Sequence, residues 1–458
     1  MSAPLLLILL GIVLAISAFA LRARGWIPWL IAAGGSVLLA AVALGIVLGE
    51  PFEIMGIVIR LEAGWTFLGR SLVLRPESRA LVSFVFVSGA ILLASGWVSD
   101  APRRLASVGL LMLLALAAAL MVQPFVFSPT LIAAAAILGC LVVVRPDGRG
   151  GRAPPRLMVT YSLGMMAILI AGWLIEVGGA SVSPESPVRA ASVLLALGLA
   201  ILVITPPFHT WLTASSDEAH PLAFVFVAAV LQTGGLFLLV NSLASYAWMR
   251  TDPLVYAFLR GIGLLMIGLG GLWCLVERRA PRLIAYTLLV DFGISLLALS
   301  LATPDGSRIA LGMASIRPIS LAVWAAGVTH LFAPGASDSQ AGRSIRKISA
   351  AAALLGALSL AGFPLTAGFH GRWMTLGNAQ GGDVTAAAAV VFGLGATWLA
   401  IGRWARGLSA HPSEDGRRLG RARSIALVVG SATIVLLGLQ PAWLFGWLSS
   451  ALGSLVGR

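Results

Sequence analysis

Apolar residues run through this chain in long stretches, interrupted by short clusters of arginine, glycine and proline rather than alternating with polar positions. An apolar stretch of about 20 residues crosses the hydrocarbon core of a bilayer as a helix. Reading the stretches between their punctuation predicts about fourteen such helices. They fall near 4–22, 26–49, 78–98, 105–123, 125–145, 157–179, 188–216, 222–242, 253–276, 280–302, 309–332, 346–377, 384–405 and 424–447. Segment 51–77 breaks the pattern, with Glu53, Arg60, Glu62, Arg70, Arg75 and Glu77 among apolar residues. It reads as an ordered extramembrane hairpin or an amphipathic segment.

Composition narrows the class. Of 458 residues, 59% are hydrophobic and 11% charged, against about 25% charged in a soluble domain. That excludes a soluble domain, a disordered chain and a disulfide scaffold. The net charge of +13 would suit a nucleic-acid partner, but the arginines sit in short loops between apolar runs and read as topology signals. No nucleic-acid partner is expected. Cys140 and Cys274 lie far apart in separate apolar runs and read as small buried hydrophobes. A metal site needs clustered Cys or His, so neither metal nor cofactor is expected. Ala18-Phe19-Ala20 looks like a cleavage site, yet no basic residue precedes the first run and Arg22 and Arg24 follow it. That polarity is the reverse of a secretory signal, and the first span is expected to be retained.

Loops after odd-numbered spans hold twenty basic residues, including Arg103, Arg104, Arg145, Arg149, Arg278, Arg279, Arg282, Arg417, Arg418 and the single lysine, Lys347. Loops after even-numbered spans hold seven: Arg60, Arg70, Arg75, Arg79, Arg189, Arg250 and Arg308. The positive-inside rule puts the odd loops in the cytoplasm of a prokaryotic inner membrane and both termini outside.

Two spans carry a proline break. The seventh meets Thr205-Pro206-Pro207 and the twelfth meets Phe363-Pro364. Proline removes a helical hydrogen bond and clashes with the preceding turn, so each span is expected to split into half-helices. Spans four to eight and nine to thirteen are two sets of five, with the break in the fourth member of each. An odd number of spans per unit makes such repeats inverted, and matching broken helices point to a transport pathway. The chain divides accordingly into 1–104 (three spans), 105–242 (first repeat), 253–405 (second repeat) and 406–458 (a loop and the last span).

At these residues the sequence resembles a known family. Pro207-Phe208-His209-Thr210-Trp211-Leu212, Leu231-Gln232-Thr233-Gly234, Arg279 through Tyr286, and Leu358 through Trp373 are similar, in that order, to stretches of antiporter-like membrane subunits. These include the large proton-pumping subunits of respiratory complex I, Mrp antiporter subunits and relatives in membrane-bound hydrogenases. The match is good over 200–375. Fourteen spans with no long lateral helix after them look like the M- or N-type subunit of an NADH-quinone oxidoreductase.

The resemblance implies a pathway built from a glutamate on the fifth helix, a lysine before the seventh-helix break, a central lysine on the eighth, and a lysine or glutamate after the twelfth-helix break. This chain departs from it. No acidic residue lies between Asp100 and Asp147, Leu202 stands at or near the seventh-helix lysine, and Gln232 replaces the eighth-helix lysine. Only the last position keeps a charge, as Arg372. The family's histidine position falls on Asp291, and Arg317 lies within two residues of its eleventh-helix lysine.

An ionisable group near the bilayer centre costs about 2.5–3.5 kcal/mol on insertion scales and usually has a function. Asp291, Arg260, Arg317 and Arg372 qualify by predicted depth, whereas Glu176 lies close to a span end. Asp291 reads either as a proton-relay carboxylate or as the counter-ion of Arg317 or Arg260. Arginine does not release its proton at usable pH, so Arg372 reads as a fixed charge. Gln232 reads as a holder of water or as a neutral filler. Histidine titrates near pH 6.5, which leaves His209, His330 and His370 as mobile-proton candidates or as hydrogen-bonded packing residues. The leading expectation is an antiporter-like subunit of a redox-driven, complex I-type translocase, partnered by other membrane subunits, with a partly degenerate proton pathway. A scaffold subunit that no longer pumps and a self-standing cation/proton antiporter are the alternatives.

Overall fold

The computed structural model describes residues 2–46, 51–54, 57–60, 62–67, 69–144, 151–178, 185–331, 340–379, 383–410 and 421–443. Arg145, Asp147, Arg149, Arg417 and Arg418 lie outside the described residues, as do the side chains of Glu53, Arg60, Glu77, Glu176, Arg189 and Arg343. The chain opens with α1 (Ala3–Ala20) and α2 (Ile27–Gly45), followed by strands β1 (Pro51–Ile54), β2 (Ile57–Arg60), β3 (Gly64–Phe67) and β4 (Arg70–Val73). Next come α3 (Pro76–Val98), α4 (Arg104–Met121), the short β5 (Val122–Gln123), α5 (Ser128–Val143), α6 (Ala153–Gly178), α7 (Glu185–Leu202) and α8 (Thr210–Glu218). Then follow α9 (Pro221–Ser245), α10 (Ala247–Thr251), α11 (Pro253–Val276), α12 (Ala280–Leu299) and α13 (Pro304–Leu331). The chain closes with α14 (Gln340–Leu360), α15 (Phe369–Ala379), α16 (Val384–Ala410) and α17 (Arg421–Leu439).

Among the described residues, twelve helices are long and apolar enough to cross a membrane. The two proline-broken segments add the half-helix pairs α7/α8 and α14/α15. Segment 51–77 is the hairpin alternative of the sequence reading: β1 pairs antiparallel with β2, β3 with β4, and β4 with β5. Gly69 turns the second hairpin at φ +72°, a conformation glycine adopts without steric cost.

Burial sorts the helices. Helix α9 is buried along nearly its whole length and α17 along little of it, so α9 lies at the centre and α17 at the rim. Rim helices expose large apolar side chains such as Val13, Ile16 and Phe19 of α1 and Val428 and Val429 of α17. Helices α12 and α13 join α9 in the interior, and α12 and α13 carry the charged residues of the site. Of the cysteines, Cys274 is buried as expected while Cys140 is half-exposed, its thiol donating to the Pro154 carbonyl.

Both breaks begin with the same helix-ending motif. In the first, the Thr205 N–H donates to the Ala200 carbonyl and the Ile204 N–H to Ile201. In the second, Phe363 donates to Leu358 and Gly362 to Ser359. The residue closing each helix, Ile204 or Gly362, is left-handed at φ +64° or +68°, and proline follows two residues later. This is the six-to-one, five-to-two pattern that satisfies a helix's last carbonyls. Isoleucine in that conformation is a genuine outlier. Pro318, by contrast, lies inside the continuous α13.

At the arginine-rich end, α3 is held by two histidines and an ion pair. His330 Nε2 lies 2.6 Å from the Val98 carbonyl, His220 Nε2 lies 3.1 Å from that of Ser99, and Arg423 grips Asp100 with two bonds of 2.5 and 2.6 Å. His220 Nδ1 also accepts the Leu222 N–H at 3.2 Å, which caps α9 and requires a neutral ring with its proton on Nε2. Burial lowers the His220 pKa to about 4, outweighing the Ser99 carbonyl and Asp100, which raise it. Unfolded, the ring titrates near 6.5, so this capping contribution is complete above pH 6.5 and is lost as pH falls towards 4. The loss for this group is on the order of 2 kcal/mol at pH 5. Thermal unfolding of the solubilised chain between pH 7 and 5 checks it: His220→Asn, which keeps a cap acceptor, should flatten that part of the profile, and an unchanged slope would count against it.

Candidate functional site: a buried charge triad at the second helix break

The second break leaves backbone carbonyls inside the apolar bundle, where each must find a partner within the protein. Arg372, on the first turn of α15, supplies two. Its Nη2 donates to the Leu360 carbonyl at the end of α14, and its Nη1 to the Gly368 carbonyl in the break. A cation there also faces the negative end of the α14 dipole. Trp398 of α16 donates its indole N–H to the Ala361 carbonyl at 2.9 Å, and the Ala367 N–H donates to Ile434 of α17 at 3.0 Å. Glycine is required at 362: besides its positive φ, an added Cβ would strike Arg372 Cδ.

The same Nη2 donates to Asp291 Oδ1 on α12, and Arg317 Nε of α13 donates to Asp291 Oδ2 at 2.6 Å. All three side chains are sealed, at 3%, 2% and 1% exposure for Arg372, Asp291 and Arg317. Asp291 is the counter-ion of both arginines, and the triad carries a net charge of +1. Arg317 Nη2 reaches Ser295 Oγ at 3.3 Å, and the Arg317 guanidinium lies 5.2 Å from the Phe292 ring centroid. Ser320 and Ser359 share a 2.8 Å bond between α13 and α14. Asp291 is eleven residues into α12, about 16 Å along its axis, roughly halfway through a 30 Å core.

The remaining sequence candidates lie elsewhere. Arg260 pairs with Asp383 and Thr385, both at 2.6 Å, and is 43% exposed. The alternative in which it partners Asp291 is corrected: the side chain reaches to Asp383 and Thr385 at the start of α16. His330 is thirteen residues from Arg317 on α13, about 20 Å away, and anchors α3. His370 is half-buried on α15, two residues before Arg372.

His209 stacks on Trp273 at 4.6 Å, and Trp273 meets Tyr286 at 5.4 Å. Gln232 is fully buried on α9, and neither amide atom has a hydrogen-bond partner among the described residues. Leu202 is buried against the first break, where Tyr161 and Trp211 pack edge to face at 5.8 Å, both fully buried. Tyr161 Oη, Thr205 Oγ1, Trp211 Nε1 and Ser215 Oγ likewise lack partners there. The first break is thus lined by aromatic and neutral groups, the second by charge.

Membrane-length helices, two of them broken at matching caps and one break set against a buried ion cluster, make this a polytopic α-helical membrane protein. Residues 180–399, a little under half of the chain, match the family described as NADH:quinone oxidoreductase/Mrp antiporter, TM. NADH-quinone oxidoreductase subunit N of Desulfovibrio desulfuricans is 26% identical over 295 residues, covering 59% of this chain and 58% of that protein. The chain spans about three fifths of the length of the curated relatives it matches. Among solved structures, a chain of the membrane-bound sulfane sulfur reductase, an archaeal respiratory membrane complex, matches with TM-score 0.78 and 17% identity, covering 99% of this chain and 97% of that one. A chain of the Mrp complex from Dietzia sp. matches with TM-score 0.75 and 16% identity, covering 100% and 98%. At these identities the likeness is one of fold.

Removing one member of a buried ion pair costs about 3–5 kcal/mol because a charge is left uncompensated. Asp291→Asn strands two guanidinium groups, so it should lower the unfolding temperature more than Arg317→Met, which leaves one matched pair. The triple variant Asp291→Asn/Arg317→Met/Arg372→Met should recover part of that loss. Thermal melts of the purified chain give the order, and a benign Asp291→Asn would refute the counter-ion role.

Proposed function

We propose that the chain is an antiporter-like subunit of a redox-driven, complex I-type membrane assembly, in which it holds a partly degenerate ion pathway. The observation that carries this reading is the Asp291–Arg317–Arg372 triad, which couples two interior helices to the broken one. A charge displacement elsewhere in such an assembly would act on the fixed +1 and shift α14 and α15 relative to α12 and α13. The geometry supports an electrostatic role for Asp291: both of its oxygens are engaged by arginines, which do not pass protons on.

Two five-helix repeats related by inversion would account for the equal caps at 204 and 362. In the first half, Leu202 offers neither donor nor acceptor, and Tyr161 packs edge to face on Trp211 beside the break. The reading that this chain is a scaffold with no pumping of its own is favoured by that aromatic packing. Positive loops facing a prokaryotic cytoplasm, with both termini outside, complete the proposal.

Proton uptake into inverted vesicles carrying the intact assembly tests it. Arg372→Ala should reduce coupled uptake several-fold, whereas Gln232→Leu should leave it near wild type. Loss of uptake in Gln232→Leu with intact Arg372→Ala would reverse the assignment of the two halves. Uptake unaffected by either variant would favour the scaffold. Sodium or proton exchange by the purified chain alone in liposomes would exclude a subunit role.

A further inference from the structure

A cavity of 920 Å³ opens at the arginine-rich end of the bundle, between the starts of α9 and α12 and the ends of α11, α13 and α16. Three cations line it, Arg278, Arg279 and Arg403, and they are not equivalent. Arg403 is engaged with the Cys274, Leu275 and Glu277 carbonyls, closing the end of α11. The Glu277 carboxylate accepts the backbone N–H groups of Arg278 and Arg279 at 2.8 and 2.9 Å and lies 3.6 Å from Arg282. The guanidinium groups of Arg278 and Arg279 are exposed at the mouth, with no side-chain hydrogen bond or ion pair among the described residues. Behind them the wall is apolar, with Trp404 along it, and Gly407 has open space where a side chain would stand.

Two exposed cations at the level of the helix ends, backed by an apolar recess, complement an amphiphile with an anionic head. We infer that this cavity binds one anionic phospholipid. Its phosphate meets Arg278 and Arg279, which can grip phosphate oxygens in bidentate fashion, and one acyl chain lies along Trp404 and Gly407. Basic pockets between helices on the cytoplasmic side suit such head groups. The site joins α9, α11, α12, α13 and α16, so an occupant would tie the α12–α13 pair of the triad to the rim.

The experiment uses the purified full chain in detergent, titrated with phosphatidylglycerol or phosphatidylcholine and read by native mass spectrometry for retained lipid. Saturable retention of one phosphatidylglycerol is expected, with about tenfold weaker binding in Arg278→Ala/Arg279→Ala, as for the loss of about 1.4 kcal/mol. Gly407→Phe, which fills the recess and leaves every charge in place, should also release the lipid. Equal retention of phosphatidylcholine, or unchanged retention in both variants, overturns the inference. Full displacement by inorganic phosphate at about 10 mM would assign the arginines to a free anion and overturn it too, since the acyl chain would then contribute nothing. None of these outcomes bears on proton uptake, so this inference and the proposed function fail separately.

Discussion

A helix that stops inside a bilayer exposes carbonyls to hydrocarbon, and that constraint organises the interior of this protein. At the second break the exposed carbonyls recruit a cation, because Arg372 can reach Leu360 and Gly368 with one fork. A buried cation then demands an anion, which Asp291 provides from α12. Asp291 has a second oxygen to satisfy, and Arg317 on α13 takes it. Each step follows from the desolvation cost of the one before. The chain of demands links four helices, α12 to α15.

The first break solves the same backbone problem without charge. Its cap is hydrogen-bonded as the second one is, but Ile204 takes the left-handed position that Gly362 takes in the other half. Arg372 lies in the first turn of the helix after the second break, and Trp211 in the first turn of the helix after the first, packed on Tyr161. The caps are equal and the fillings are not, so the charge sits at one break.

Much of this was legible in the residues. Asp291, Arg317 and Arg372 stand out because ionisable groups are rare in apolar runs, and the prolines marked both breaks. Spacing also held a signal that the sequence reading passed over: Ser295 is four residues after Asp291 and Ser320 three after Arg317, which puts each on its neighbour's helix face. What could not be read was the pairing across 81 residues between Asp291 and Arg372, since one-dimensional depth does not say which helices touch. Arg260 shows the same gap from the other side. Its position in the run made it an alternative partner of Asp291, but a long side chain on a rim helix can reach polar partners at the surface. The separation of His330 from the triad followed from helix rise alone, about 1.5 Å per residue.

The odd charge of the triad has a consequence for leakage across the membrane. An irregular, polar stretch inside a bilayer is where water and small cations would slip through. A permanent +1 at that depth repels a monovalent cation 10 Å away by about 1.7 kcal/mol at an effective dielectric constant of 20. That energy is comparable to what a membrane potential of 100 mV, about 2.3 kcal/mol per charge, supplies to drive the ion inward. Two arginines on one aspartate therefore make this helix break an electrostatic barrier to small cations.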